Sequence, residues 1–157
     1  SRRKFLITML KALRRLAAFC LCITLSLGLV TPSDVKAAGV KAEDLAVIKR
    51  QASAFESTKG RLPELARLVS AKDWTFTRNL IHGPMQEVGR EMLYINQRLD
   101  KSDRKQADKV ARSLKEAMAD LDEAARLQDF SRMQKSYSAV AAGFDAYSDL
   151  IPAEALS

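Results

Sequence analysis

From Leu45 to Ile151 apolar side chains return at alternating intervals of three and four residues, a spacing that lays one stripe along a helix and cannot line one face of a strand. Four stripes can be traced. The first runs Leu45, Ile48, Ala52, Phe55, is interrupted at Gly60, and resumes at Leu62, Leu65, Val69. Pro63 suits the first turn of the resumed piece, where a missing N–H costs nothing, so the first helix is expected to break near Gly60. The second stripe is Ile81, Met85, Val88, Met92, Ile95, Leu99, with Asp73 placed to cap its start and Trp74 at the entrance. Gly83-Pro84 falls inside it, and a proline there removes a hydrogen bond and clashes with the preceding turn, so a kink is expected.

The third stripe, Ala107, Val110, Leu114, Ala117, Leu121, Ala124, starts after Ser102 or Asp103; the fourth is Phe130, Met133, Tyr137, Val140, Phe144, Tyr147, Ile151 and stops at Pro152. Connections of a few residues force neighbours to run antiparallel. The fold class is therefore all-α, an up-down-up-down four-helix bundle over residues 38–157. An alanine-rich third helix facing an aromatic fourth would fill its core, with Phe144 inside.

The chain has 157 residues, one domain's worth, and a net charge of +7. Residues 1–37 hold Arg2, Arg3, Lys4, Lys11, Arg14, Arg15 and Lys36 against Asp34, a net +6, which leaves only +1 for everything that follows. A nearly neutral bundle with interleaved charges offers no one-signed surface to a phosphate backbone, so no nucleic-acid partner is expected.

Those first 37 residues read as a targeting segment: a basic region to Arg15, an apolar run from Leu16 to Val30, and a small-residue site at Val35-Lys36-Ala37. The two arginine pairs resemble a twin-arginine address. A helix of about 15 residues is near 22 Å long, short of the roughly 30 Å hydrocarbon core, so cleavage after Ala37 is expected. Retention of the run as an anchor, which would make the chain a membrane-anchored helical adaptor, is the alternative. Both cysteines, Cys20 and Cys22, lie in this run and follow Phe19 and Leu21, which are too large for a lipidation site.

Little in the remainder suggests chemistry. His82 is the single histidine, which excludes His-rich metal sites, a Ser-His-Asp triad and the paired Glu-x-x-His motif of di-iron bundles. A haem held by His82 and a methionine stays open as an alternative, in an exported bundle binding a haem or metal. Otherwise His82 reads as a hydrogen-bonding residue at a helix break, and no catalytic residue or cofactor is assigned. Asp120, Asp122 and Glu123 could hold a cation weakly, or be a solvated face paired with Lys115 and Arg126.

A few residues outside the core add more. Asp73-Trp74 followed by Arg78 and then Ile81-His82-Gly83-Pro84 resembles the entry to the second helix of the PsbQ family, extrinsic subunits of photosystem II. Leu121-Asp122 with Ala124-Ala125, and Phe144-Asp145-Ala146-Tyr147 through Asp149-Leu150-Ile151-Pro152, extend the resemblance. Its spacing is similar to the cyanobacterial and red-algal branch.

The resemblance implies a non-catalytic protein of the thylakoid lumen, peripheral on the lumenal face of the thylakoid membrane. It would dock on photosystem II near other extrinsic subunits and the core antenna proteins, stabilise the oxygen-evolving complex and help retain calcium and chloride. Cyanobacterial relatives are typically lipoproteins; the absence of a lipidation site favours a signal of the red-algal, plastid-imported kind. Docking contacts are expected from basic residues, Arg78, Arg90, Arg98, Arg104 and Lys105, or from the break at His82, Gly83 and Pro84.

Overall fold

The computed structural model describes residues 40–157, and every regular element among them is helical. The expected targeting segment and its cleavage site lie outside the described residues. The elements are α1 (Ala42–Lys59), α2 (Leu62–Ser70), α3 (Trp74–His82), α4 (Val88–Asn96), α5 (Lys101–Arg126), α6 (Phe130–Ser148) and a 3-10 turn at Ala153–Ala155.

Both expected interruptions are present, and the second is larger than a kink. Between α1 and α2 only Gly60 and Arg61 intervene, with Pro63 in the first turn of α2. A continuous helix would need the Pro63 nitrogen to donate to the Lys59 carbonyl, and proline has no hydrogen to give. Between α3 and α4 five residues, 83–87, leave the helix altogether. Here Pro84 cannot serve the Leu80 carbonyl, and the Met85 N–H reaches back to it instead at 3.1 Å. That longer loop of chain relieves the clash by opening the helix.

The turns α2–α3 and α5–α6 share one chemistry. Lys72 and Gln128 adopt left-handed backbone, with φ of 55° and 58°. In each turn the following N–H folds back on the ending helix, Asp73 to the Leu68 carbonyl and Asp129 to that of Ala124, both at 2.9 Å. Each aspartate then caps the next helix, Asp73 accepting from the Phe76 N–H and Asp129 from the Arg132 N–H, both at 3.0 Å. α5 begins at Lys101, earlier than Ser102 or Asp103, and its N-terminal position carries no side-chain cap.

α1 packs on α4, α2 on α3 and on α6, both α3 and α4 on α5, and α5 on α6, while the C-terminal 3-10 turn folds back on α1. α1 and α4 run antiparallel, since Thr58 at the end of α1 meets Glu91 at the start of α4, while Asp44 lies 3.9 Å from Arg98 at the other end. The apolar stripes are inside, with Ile48, Phe55, Met85, Met92, Leu114, Leu121, Met133, Val140 and Phe144 fully buried.

The expected division between small α5 and large α6 side chains holds only in part. The α6 aromatics stack chiefly on α1, where the Phe55 ring lies 5.3 Å from that of Phe144 and 4.9 Å from that of Tyr147. Against α5, α6 offers Gly143, on which a Cβ would fall 3.0 Å from Leu114; here the small residue is on α6.

Of the buried side-chain polar atoms among the described residues, the Thr77 hydroxyl has no hydrogen-bond partner and the others are paired. The Tyr147 hydroxyl lies 2.6 Å from Asn96 Oδ1, and Asn96 Nδ2 donates to Asp108 at 2.8 Å, joining α6, α4 and α5. Burial pushes the Tyr147 phenol well above its ordinary range and raises the Glu91 carboxyl, which Thr58 partly offsets by donating to it.

Candidate docking surface

The residues that mark the entry to the second stripe are held by a small ionic clamp. Asp73 starts α3, and Arg78 and His82, one turn apart, therefore point from the same side of it. Both meet Asp122 of α5: Arg78 Nε donates to its Oδ1 at 2.9 Å, and His82 Nε2 lies 2.8 Å from the same oxygen. Asp122 is mostly covered while His82 remains largely in solvent. The clamp stands at the point where α3 ends, so it fixes the helix just before the break.

Gly83 follows directly. A side chain there would bring a Cβ within 2.7 Å of the Asn79 carbonyl oxygen, closer than such atoms approach, so the backbone's turn out of the helix demands glycine. Pro84 is exposed and, with Phe76, Asn79 and Leu80, borders an open cleft of about 430 Å³ between α2 and α3. On the other side of α3, Trp74, Arg78, His82 and Arg126 line a more polar cleft of about 330 Å³.

Asp120, Asp122 and Glu123 of α5 each hold different partners. Asp120 takes Arg132 at 3.3 Å, Asp122 takes the clamp, and Glu123 is gripped by both arms of Arg126 at 2.6 and 2.7 Å. The Arg126 hydrogen bonds hold the Glu123 carboxyl below its ordinary value. Of the two partners expected from sequence Arg126 is used and Lys115 is not. No group of metal-ligating side chains suited to a cation occurs among the described residues.

The remaining basic candidates do unlike jobs. Arg90 pairs with Glu87 on its own turn. Arg98 donates to the Tyr94 carbonyl at 3.0 Å, and Arg104 reaches the carbonyls of Asn96, Gln97 and Leu99 at 3.0, 2.8 and 3.2 Å. Those two guanidinium groups bond carbonyls in the last turn of α4 and in the turn that follows it, beside a helix C-terminus where positive charge is favoured. Lys105 is exposed, with no hydrogen-bond or ion-pair partner among the described residues. The structure thus brings Arg78, His82, Gly83 and Pro84 together, sets Arg98 and Arg104 at the α4–α5 turn, and leaves Arg90 and Lys105 apart from both groups.

A family model described as oxygen evolving enhancer protein 3, PsbQ, matches residues 30–152, well over half of the chain. The chain belongs to the PsbQ family. Among curated relatives it is similar to "CyanoQ" of Synechocystis sp., 29% identical over 93 residues; the match covers 59% of this chain and 62% of that relative. The chain therefore spans less than two thirds of that relative's length.

The residues of the clamp are visible in the sequence, but their meeting is not. Arg78 and His82 were legible at a spacing of four, and Asp122 stood in the same resemblance, but nothing along the chain links position 82 to position 122. The capping roles of Arg98 and Arg104 were missed for the same reason, since charge alone does not distinguish a cation in use from a free one. A detectable signal was Arg104 in the first turn of a helix, where positive charge is ordinarily unfavourable and calls for a local acceptor.

Proposed function

We propose that this chain is a non-catalytic extrinsic subunit of photosystem II, peripheral on the lumenal face of the thylakoid membrane. It stabilises the oxygen-evolving complex and helps retain calcium and chloride. The observation that carries the reading is the PsbQ family match across residues 30–152. Its partners on this reading are the core antenna proteins and other extrinsic subunits.

The fold completes as a four-helix bundle, α1 with α2 and α3 with α4 each acting as one interrupted helix. The ring of contacts supports this: the α1–α2 column touches the α3–α4 column and α6, while α5 touches the α3–α4 column and α6. No helix among the described residues is long and apolar enough to cross a membrane, which accords with a peripheral protein. The haem alternative finds little support, because His82 Nε2 faces Asp122 at the surface whereas Met85, Met92, Met118 and Met133 are buried in the core.

Co-purification with oxygen-evolving photosystem II tests the reading. The protein is expected in that fraction, and its removal is expected to lower oxygen evolution most when calcium or chloride is limiting. Absence from the fraction, or activity indifferent to both ions, would sink it.

A further inference from the structure

Among the described residues several exposed cations have no partner, Lys41, Lys49, Arg50, Arg67, Lys115 and Lys135 among them, but four others share one face of α5. Lys101, Lys105, Lys109 and Arg112 follow one another at intervals of four, four and three along α5, so they form a single outward row over its first three turns. All four are exposed, and none has an ion-pair or hydrogen-bond partner among the described residues. Asp108, the acid nearest the row, accepts from Asn96 on α4 at 2.8 Å. Farther along the same outward face the charge reverses at Glu116 and Glu123.

Beside the row lies a groove. α5 and α6 approach closely at Gly143, and above that contact Val110, Ala117, Ala139, Ala142 and Ala146 leave an apolar trough of about 370 Å³. It shares Gln106 and Lys109 with a second hollow of about 560 Å³ that Lys105 and Arg112 line. A continuous surface results, apolar on one side and cationic on the other.

We propose that this face of α5, with the trough between α5 and α6, docks an acidic segment of a protein partner, apolar side chains entering the trough and carboxylates meeting the row. It rests on the reading of the chain as an extrinsic subunit and assigns the face that such a subunit would use. Charge complementarity selects the occupant: four unpaired cations line one face of a domain whose net charge is only +1. An anionic lipid surface fits less well, since membrane adsorption needs apolar side chains that protrude. Among the described residues the exposed large apolar ones are Phe76, Leu93, Tyr94, Leu127 and Leu156, none of them on α5 or α6. The apolar part of this face is recessed.

Two measurements test the proposal. In membranes from the cells that make the protein, a zero-length carbodiimide joins lysines only to carboxylates they already touch. Conjugates are expected from Lys101, Lys105 or Lys109 to an Asp or Glu of another protein. Conjugates confined to other lysines, or none from these three, overturn the proposal. If the three lysines are joined to a protein outside photosystem II, the docking face stands and the photosystem reading fails.

In rebinding to salt-stripped membranes, the triple variant Lys105→Glu, Lys109→Glu, Arg112→Glu is expected to lose about 100-fold in affinity at moderate salt. The pair Lys49→Glu, Arg50→Glu, on exposed α1 positions, should change it less than about threefold. Unchanged far-ultraviolet dichroism and urea midpoint certify that the triple variant is folded. Equal losses in both variants refute the assignment, as does triple-variant binding to phosphatidylglycerol vesicles that falls in step with membrane binding.

Discussion

Arg104 separates a cation that holds the fold from one that holds a partner. Its guanidinium donates to three carbonyls, Asn96 at the end of α4 and Gln97 and Leu99 in the turn after it, at 3.0, 2.8 and 3.2 Å, from a partly covered position. A hydrogen bond from a charged donor contributes roughly 1.5–3 kcal/mol when well buried. Partial exposure cuts this to about 0.5–1 kcal/mol each. Favourable charge at the C-terminus of α4, about 0.5 kcal/mol, is offset by the same charge standing in the first turn of α5. Arg104→Ala is therefore expected to destabilise the domain by about 2 kcal/mol, read as a lower urea midpoint at constant slope by dichroism at 222 nm. Arg104→Lys keeps the charge and loses the fork, so it should recover less than half of the loss. Lys105→Ala, one residue away and unpaired, should fall within about 0.5 kcal/mol of the parent. If Arg104→Ala cost less than about 0.5 kcal/mol and weakened membrane association as much as Lys105→Ala, the capping role would be refuted.

Three further outcomes follow from the same geometry. Phe144→Ala, deleting a fully buried ring that stacks on Phe55, should cost about 3–5 kcal/mol in urea unfolding, and a loss below about 1 kcal/mol would place the ring outside the core. The Glu91 carboxyl, raised above its ordinary 4.5 mainly by burial, favours the folded state fully only below that value and loses this contribution as pH rises through its higher folded value. Glu91→Gln should therefore gain on the parent as pH climbs from about 4.5 towards neutral, and a stability difference independent of pH would refute the assignment. Gln128→Gly, relieving left-handed backbone at φ 58°, should stabilise by about 1 kcal/mol and lift Tm by roughly 4 °C, whereas a lower Tm would show that the Gln128 side chain contributes more than the strain costs.

The helices and most of their buried faces were legible because apolar spacing reports directly on helix geometry. Ile81, Met85, Val88, Met92, Ile95 and Leu99 are all buried as the stripe requires, although the chain leaves the helix between two of the segments that carry them. Leu45, Leu62, Val110, Phe130 and Tyr137 are only partly buried. Leu68, Leu80 and Met118, which the stripes left out, are buried. A stripe has width, and a helix packed on two neighbours uses residues flanking its centre line. The size of the second interruption was less legible, because Pro84 reveals a missing donor and not the distance over which the chain repairs it.

Ionic contacts were the least legible, and they decide where a docking face can be. Arg78, Arg98 and Arg104 share a residue type and similar neighbourhoods in the chain, yet one clamps a carboxylate and the other two cap carbonyls. A guanidinium so engaged must give up those bonds before it binds elsewhere, and the loss offsets whatever the partner supplies. Lys101, Lys105, Lys109 and Arg112 give up only hydration. Arg78, His82 and Gly83 are explained by what they do inside the domain: two fix α3 to α5, and the third lets the chain turn out of the helix beside them. On the docking proposal, contact with another protein falls to cations that folding leaves unused, and the row of four along the first turns of α5 sets them on one face.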